Sequence, residues 1–226
     1  MKFNRFFALP LIVCAALTSC LKSEYSYSGY VTFADVVDGT HLNGDGDITY
    51  LITEDATDGG FTKVESGRVV INCDLLDANR PQSIKLNLYK AIDVKPCLKS
   101  DELTEEQSSH IDSLVIRQPY VGANGDNWYV TLLVGVPKLK DSKTEHELDL
   151  VFDRESTSRK IVLTLYHNAN GDVFTKETKE EDKSTDYVYI SFPVKNLIQD
   201  LFKDGTEFDI ATAFDRRKEE LKKEEK

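Results

Sequence analysis

Sulfur and indole are scarce in this chain, with four Cys, one Met and one Trp among 226 residues. So few cysteines exclude a small scaffold held together by disulfides. Basic residues are outnumbered, 28 Lys and Arg against 39 Asp and Glu, which leaves a formal net charge of −11. Phosphate backbones repel such a chain, so nucleic acid is excluded as a partner. Catalytic and metal signatures are missing too. No His-x-x-x-His or Cys-x-x-Cys pair gives zinc a local scaffold, and no Gly-x-Ser-x-Gly elbow marks a hydrolase. The glycine-rich stretches open no long helix that could cradle phosphate. Nothing in the residues asks for an enzyme or a cofactor. With 40% apolar residues, however, the chain can bury a real core.

The N-terminus is the most specific segment. Lys2 and Arg5 precede an apolar run from Phe6 to Leu17 that is too short to span a bilayer comfortably. It ends in Leu17-Thr18-Ser19-Cys20, which resembles the lipobox of bacterial lipoproteins. That resemblance implies a signal peptide over 1–19, cleavage before Cys20, and acylation of Cys20 as the membrane anchor. Residues 20–28 then form a lipidated tether. The expected location is the cell envelope, at the outer membrane, on its periplasmic or its surface face.

The mature chain reads as all-β. Residues 29–98 hold alternating runs at 29–37, 47–53, 67–75 and 83–89, which suit a small OB-like barrel. Residues 99–111 are polar and acidic and read as a linker. Six further runs, at 113–117, 128–134, 147–152, 160–166, 187–192 and 208–213, predict an antiparallel β-sandwich over 112–214. A short helix is expected from Val194 to Phe202. Residues 215–226 form a charged tail, solvated or briefly helical.

Three stretches carry a family resemblance: Gly67-Arg-Val through Leu76, Asp126-Asn-Trp-Tyr-Val-Thr131, and Leu163 to Asp172 with the upstream His146-Glu-Leu-Asp-Leu-Val151. With the lipobox, their order resembles the NigD-like lipoproteins of Bacteroidales. The resemblance implies an N-terminal OB-like domain and a C-terminal β-sandwich. The family name comes from a bacteriocin gene cluster, which implies self-immunity and a bacteriocin as protein partner. No catalytic residue carries over.

Four smaller features set expectations. Asn43, Asp45, Asp47 and Glu54 have the spacing of calcium-loop ligands, but Ile48 stands where the loop needs glycine, so a turn between strands is the better reading. Tyr25, Tyr27, Tyr30 and Trp128 are the candidates for a sugar-stacking platform in a surface glycan-binding lipoprotein, the alternative function. A turn near residue 79 sets Cys73 opposite Leu86 and leaves Cys97 up to about 35 Å further along an extended chain. Cys73 is therefore expected as a free core thiol rather than half of a disulfide. Finally, pairing Phe152 with Ile161 and Leu150 with Leu163 buries both strands' apolar faces and continues to His146 opposite His167. That pair could hold a metal with Asp172, act as a pH-sensitive latch, or simply close the end of the core by hydrogen bonds. The last is the favoured reading.

Overall fold

The computed structural model describes residues 27–55, 65–77 and 81–224; the expected signal peptide, Cys20 and the expected tether as far as residue 26 lie outside them. Alternation builds the first unit. Strands β1 (Tyr27–Val36), β2 (His41–Gly44), β3 (Ile48–Asp55), β4 (Gly67–Leu75) and β5 (Gln82–Ala91) close in the order β1-β2-β3-β5-β4, and β4 returns to pair with β1. Val69, Ile71 and Cys73 of β4 meet Ile84 and Leu86 of β5 in a dry interior with Leu42 and Tyr50. The four-residue β2 is too short to show a period, and the sequence does not reveal it.

Cys73 stands opposite Leu86, as the turn requires, and both Cys73 and Cys97 are free. Burial pushes the Cys73 thiol up to about 11 and the Cys97 thiol up to about 12. In a soluble form beginning after Cys20, both are expected to react with a thiol reagent at pH 8 roughly a hundredfold or more slower than free cysteine, because so little thiolate exists. Rapid labelling without denaturant would contradict this.

Eight further strands follow: β6 (Asp93–Val94), β7 (Cys97–Lys99), β8 (Val115–Asn124), β9 (Asn127–Leu139), β10 (Glu147–Phe152), β11 (Lys160–Asn168), β12 (Lys183–Pro193) and β13 (Glu207–Thr212). They form two sheets, β13-β11-β10-β7 and β6-β12-β9-β8. Val130, Leu132 and Val134 of β9 and Ile190 and Phe192 of β12 face Leu148 and Leu150 of β10 and Ile161, Leu163 and Leu165 of β11 across the core. The predicted all-β architecture is the observed one.

Several boundaries differ from the sequence reading. Residues 93–98, assigned there to the barrel, and Lys99, assigned to the linker, pair instead with the sandwich: β6 runs parallel to β12 and β7 parallel to β10. Strands of two and three residues have no alternation to read. The expected linker contains helix α1 (Glu105–Ser108), closed by a capping box between Thr104 and Gln107. The helix expected over 194–202 shortens to α2 (Lys195–Ile198). As far as Glu224 the charged tail belongs to helix α3 (Ala213–Glu224), whose start is capped by the Thr212 hydroxyl accepting from the Asp215 N–H. Arg216 anchors it, donating from Nε to the Thr164 hydroxyl at 2.7 Å.

One buried cation joins the two domains. The Arg68 side chain has no exposed surface. It projects from the outside of the barrel and forms a bidentate pair with Asp45, at 3.0 Å and 2.5 Å. Its Nε donates to the Ser191 hydroxyl of β12, and its guanidinium lies 4.0 Å from the Tyr129 ring centroid of β9. Around it Phe33, Val70 and Ile92 of the barrel side pack on Tyr120 and Tyr189 of the sandwich. Asn43 lies in strand β2 and residues 45–47 form the turn to β3, where both carboxylates are already engaged. Asp45 holds Arg68, while Asp47 accepts the Gly125 N–H from the β8–β9 turn. Gly122 is obligatory beside them, because a Cβ there would collide with the Asp45 carboxylate.

Candidate functional site

His146 and His167 meet at the end of the sandwich. Both occupy the core-facing side of their hairpin, as the parity of the apolar positions requires, and His167 is only 2% exposed. The register itself is slipped by two residues from the expected one. Leu148 faces His167, Leu150 faces Leu165 and Phe152 faces Leu163. The chain reverses late, where Thr157 and Lys160 exchange backbone hydrogen bonds around Ser158-Arg159. Residues 154–156 bulge, and the Ser156 hydroxyl accepts from the Val162 N–H at 2.9 Å. A two-residue slip preserves the faces, so the imidazoles become diagonal neighbours rather than direct opposites.

The rings stack at 5.1 Å between centroids, 17° from parallel. His146 Nδ1 lies 2.9 Å from His167 Nε2, and His146 Nε2 lies 3.2 Å from Asp172 Oδ2. At the far end His167 Nδ1 reaches the Asp112 carbonyl at 3.3 Å. Asp172 is delivered by the Ala169-Asn170-Gly171 turn, where Asn170 and Gly171 both have positive φ. Its other oxygen accepts the Leu139 N–H at 2.7 Å, which ties the turn to the end of β9.

Burial alone would raise the Asp172 carboxyl. Hydrogen bonds from the Ser142 hydroxyl, the Leu139 N–H and His146 outweigh it, so the group stays below the usual carboxylate range. His167 is moved the other way from charge. Burial pushes its imidazole below the ordinary value, the Asp112 carbonyl opposes this, and the neighbouring His146 adds to it.

This arrangement is a hydrogen-bond chain. Each imidazole nitrogen has its own partner, so the lone pairs do not converge on one point as metal ligands must. Among the described residues no group of three or more His, Cys, Asp and Glu is placed to hold a metal ion. Beside the chain lies a cavity of about 300 Å³ whose walls include Ile111, Pro137, Val173, Phe174 and Phe214. Past Ser113 and Phe214 it adjoins an open groove between the start of β8, β13 and α3. Ile111, Val115, Val173, Phe174 and Phe214 are all exposed large apolar side chains.

Among the described residues the proposed aromatic platform is not assembled. Trp128 packs edge-on against Phe202 in the sandwich, with ring centroids 5.4 Å apart, whereas Tyr30 sits on β1 of the barrel. Tyr25 and the Tyr27 side chain lie outside the described residues. The sequence reading also misses the Arg68 clamp. Its available signal is Phe33 and Val70 on the outward face of an otherwise closed barrel, apolar surface that needs a cover.

A closed five-stranded barrel, clamped through a buried arginine to a two-sheet sandwich, defines a two-domain all-β protein. The chain belongs to the NigD-like family: the profile of the NigD-like C-terminal beta sandwich domain matches residues 96–220. Among solved structures, it is similar to a NigD-like immunity protein from Bacteroides caccae, with 20% identity and a TM-score of 0.52 over 76% of this chain and 79% of that one. A protein of unknown function, DUF1344, from Bacteroides vulgatus gives 17% identity and a TM-score of 0.53 over 77% and 82%. Likeness at such identities establishes the fold. No curated protein matches the sequence.

Proposed function

We propose that this chain is a lipid-anchored, non-catalytic protein of the cell envelope that acts by protein contact, as an immunity factor against a bacteriocin. Membership of the NigD-like family carries this reading, since a structural relative is described as an immunity protein. The site chemistry supports it. The His146, His167 and Asp172 side chains are engaged with one another. The exposed apolar side chains around that cavity are the kind of surface a protein partner covers.

Anchoring depends on Cys20 in this reading. Each acyl methylene buried is worth about 0.8 kcal/mol, so two or more chains on one residue hold the protein at the membrane. Deletion of the gene should raise sensitivity to the cognate bacteriocin, and the wild-type gene should restore resistance. The Cys20→Ser variant is expected in the soluble fraction, without restoring resistance. Unchanged sensitivity after deletion would end the immunity reading.

A glycan-binding role is the second reading. The observation that favours it is a cavity of about 370 Å³ where Trp128 meets Lys99, Glu102, Asn127, Lys195 and Asn196. Trp128 is the only tryptophan in the sequence, so its fluorescence reports that cavity directly. A glycan panel that leaves the emission unchanged would remove this alternative.

A further inference from the structure

Strand β12 is covered by β9 along its whole length, from Lys183 to Pro193. On its other side β6 reaches only Ile190 and Ser191. Parity fixes which backbone groups the bare border offers. The Asp182 carbonyl accepts the Lys140 N–H at the end of β9, whereas the Ser191 carbonyl accepts the Lys95 N–H on the β6 side. The register between them is unbroken, so even-numbered residues bond to β9 and odd-numbered ones point at the border. Among the described residues the N–H and C=O groups of Thr185 and Tyr187 have no partner there. Lys183 offers its carbonyl alone, because its N–H closes the preceding turn on the Glu180 carbonyl.

The side chains follow the same alternation. Val188 and Ile190 face the core, so Ser184 and Asp186 lie on that side of the strand. Tyr189 faces the barrel, so Thr185 and Tyr187 lie on the outer side, and the Tyr187 side chain is half exposed.

We propose that the bare border of β12 is a docking surface for a second copy of this chain, paired antiparallel about Thr185. In that register Thr185 faces its own counterpart, Ser184 faces Asp186, and Lys183 faces Tyr187. The Thr185 pair exchanges two backbone bonds and each Tyr187 N–H donates to a Lys183 carbonyl, about four bonds in all. The Ser184 hydroxyl meets the Asp186 carboxylate at a closely spaced pair, and the Lys183 stem covers the Tyr187 ring.

Charge and space select this register from its neighbours. Pairing about Asp186 sets that carboxylate opposite itself, and like charges directly opposite are destabilising. Pairing about Tyr187 runs Lys183 into Ser191, whose carbonyl Lys95 already holds. Pairing about Thr185 stops short of β6 at one end and at the 3-10 turn Glu180–Asp182 at the other. Both copies use the same border, so the contact closes at two and does not propagate. So few bonds make a weak dimer, with a Kd of about 100 μM.

Sedimentation and cysteine cross-linking of the two-domain chain beginning after Cys20 test the pairing. The native thiols of Cys73 and Cys97 react too slowly to interfere. Thr185→Cys brings its two Cα atoms to about 5.5 Å, within the span of a disulfide, so mild oxidation should give a covalent dimer. Tyr187→Cys leaves its two Cα atoms about 15 Å apart and should link about tenfold more slowly. Thr185→Pro removes a donor that β9 does not use, so the chain should fold while dimer affinity falls about tenfold or more. Should proline prevent folding, Thr185→Lys sets two cations face to face on the axis and should weaken the dimer about as much. A monomer at every concentration up to about ten times that Kd would overturn the pairing and leave the border to a different polypeptide. So would Tyr187→Cys linking as fast as Thr185→Cys, or a dimer that the folded Thr185 variants leave intact.

Discussion

Replacing Arg68 by alanine is expected to cost about 3–5 kcal/mol, the range for breaking a buried ion pair from one side. The loss is this large because Asp45 is itself buried and, without the guanidinium, would either hold an unpaired charge or have to take up a proton. Burial already lifts the Asp45 carboxyl above the usual range, and the guanidinium is what opposes this. Ser191 and the Tyr129 ring would lose their contacts in the same step. Because Arg68 spans the junction, its removal should also split one cooperative unfolding transition into two. Urea titration followed by Trp128 fluorescence reports the sandwich, and far-ultraviolet circular dichroism reports the whole chain. Coincident curves with a loss below about 1 kcal/mol, the size of a surface pair, would show that the clamp does not hold the domains. Replacing Arg68 and Asp45 together by apolar residues should cost much less than either change alone.

Phe192→Ala should be comparably severe, at about 3–5 kcal/mol. Phe192 is fully buried among Val130, Leu132 and Leu163, and alanine leaves a void that the facing sheet cannot fill without shifting. In the wild-type background the whole chain should unfold earlier, since the clamp couples barrel to sandwich. In an Arg68→Ala background only the transition seen by Trp128 should move. Equal displacement of both transitions there would mean that contacts other than Arg68 couple the domains.

What the sequence makes legible is parity. Alternation alone places Cys73, His146 and His167 on inward faces, and the structure agrees at each. Turn position is less legible, because it depends on local stitches. The Ser156 hydroxyl and the tight reversal at Ser158-Arg159 displace the β10–β11 register by two residues, and no hydrophobic pattern encodes that. Caps are written in the sequence but easily passed over, as at Thr212 and Asp215. Least legible is the junction. Arg68 meets Asp45 from 23 residues away and Ser191 from 123, so no local spacing joins them. Of the two carboxylates that resemble calcium ligands, Asp45 is spent on Arg68 of its own barrel and Asp47 on the β8–β9 turn of the sandwich.

The strand borders have a consequence for how copies of this chain behave when crowded together. An unfinished sheet margin is a template on which a second molecule can continue the ladder. The barrel has none, because β4 closes onto β1. In the sandwich, two of the four outer strands are only two and three residues long, too brief to template anything. The third, β8, carries Pro119 and a bulge between Ile116 and Gln118, which interrupt its donors and twist it out of line. The fourth, β13, has α3 packed against it. These borders leave one stretch on which a second molecule could continue a ladder, Lys183–Tyr189 of β12, which β6 does not reach.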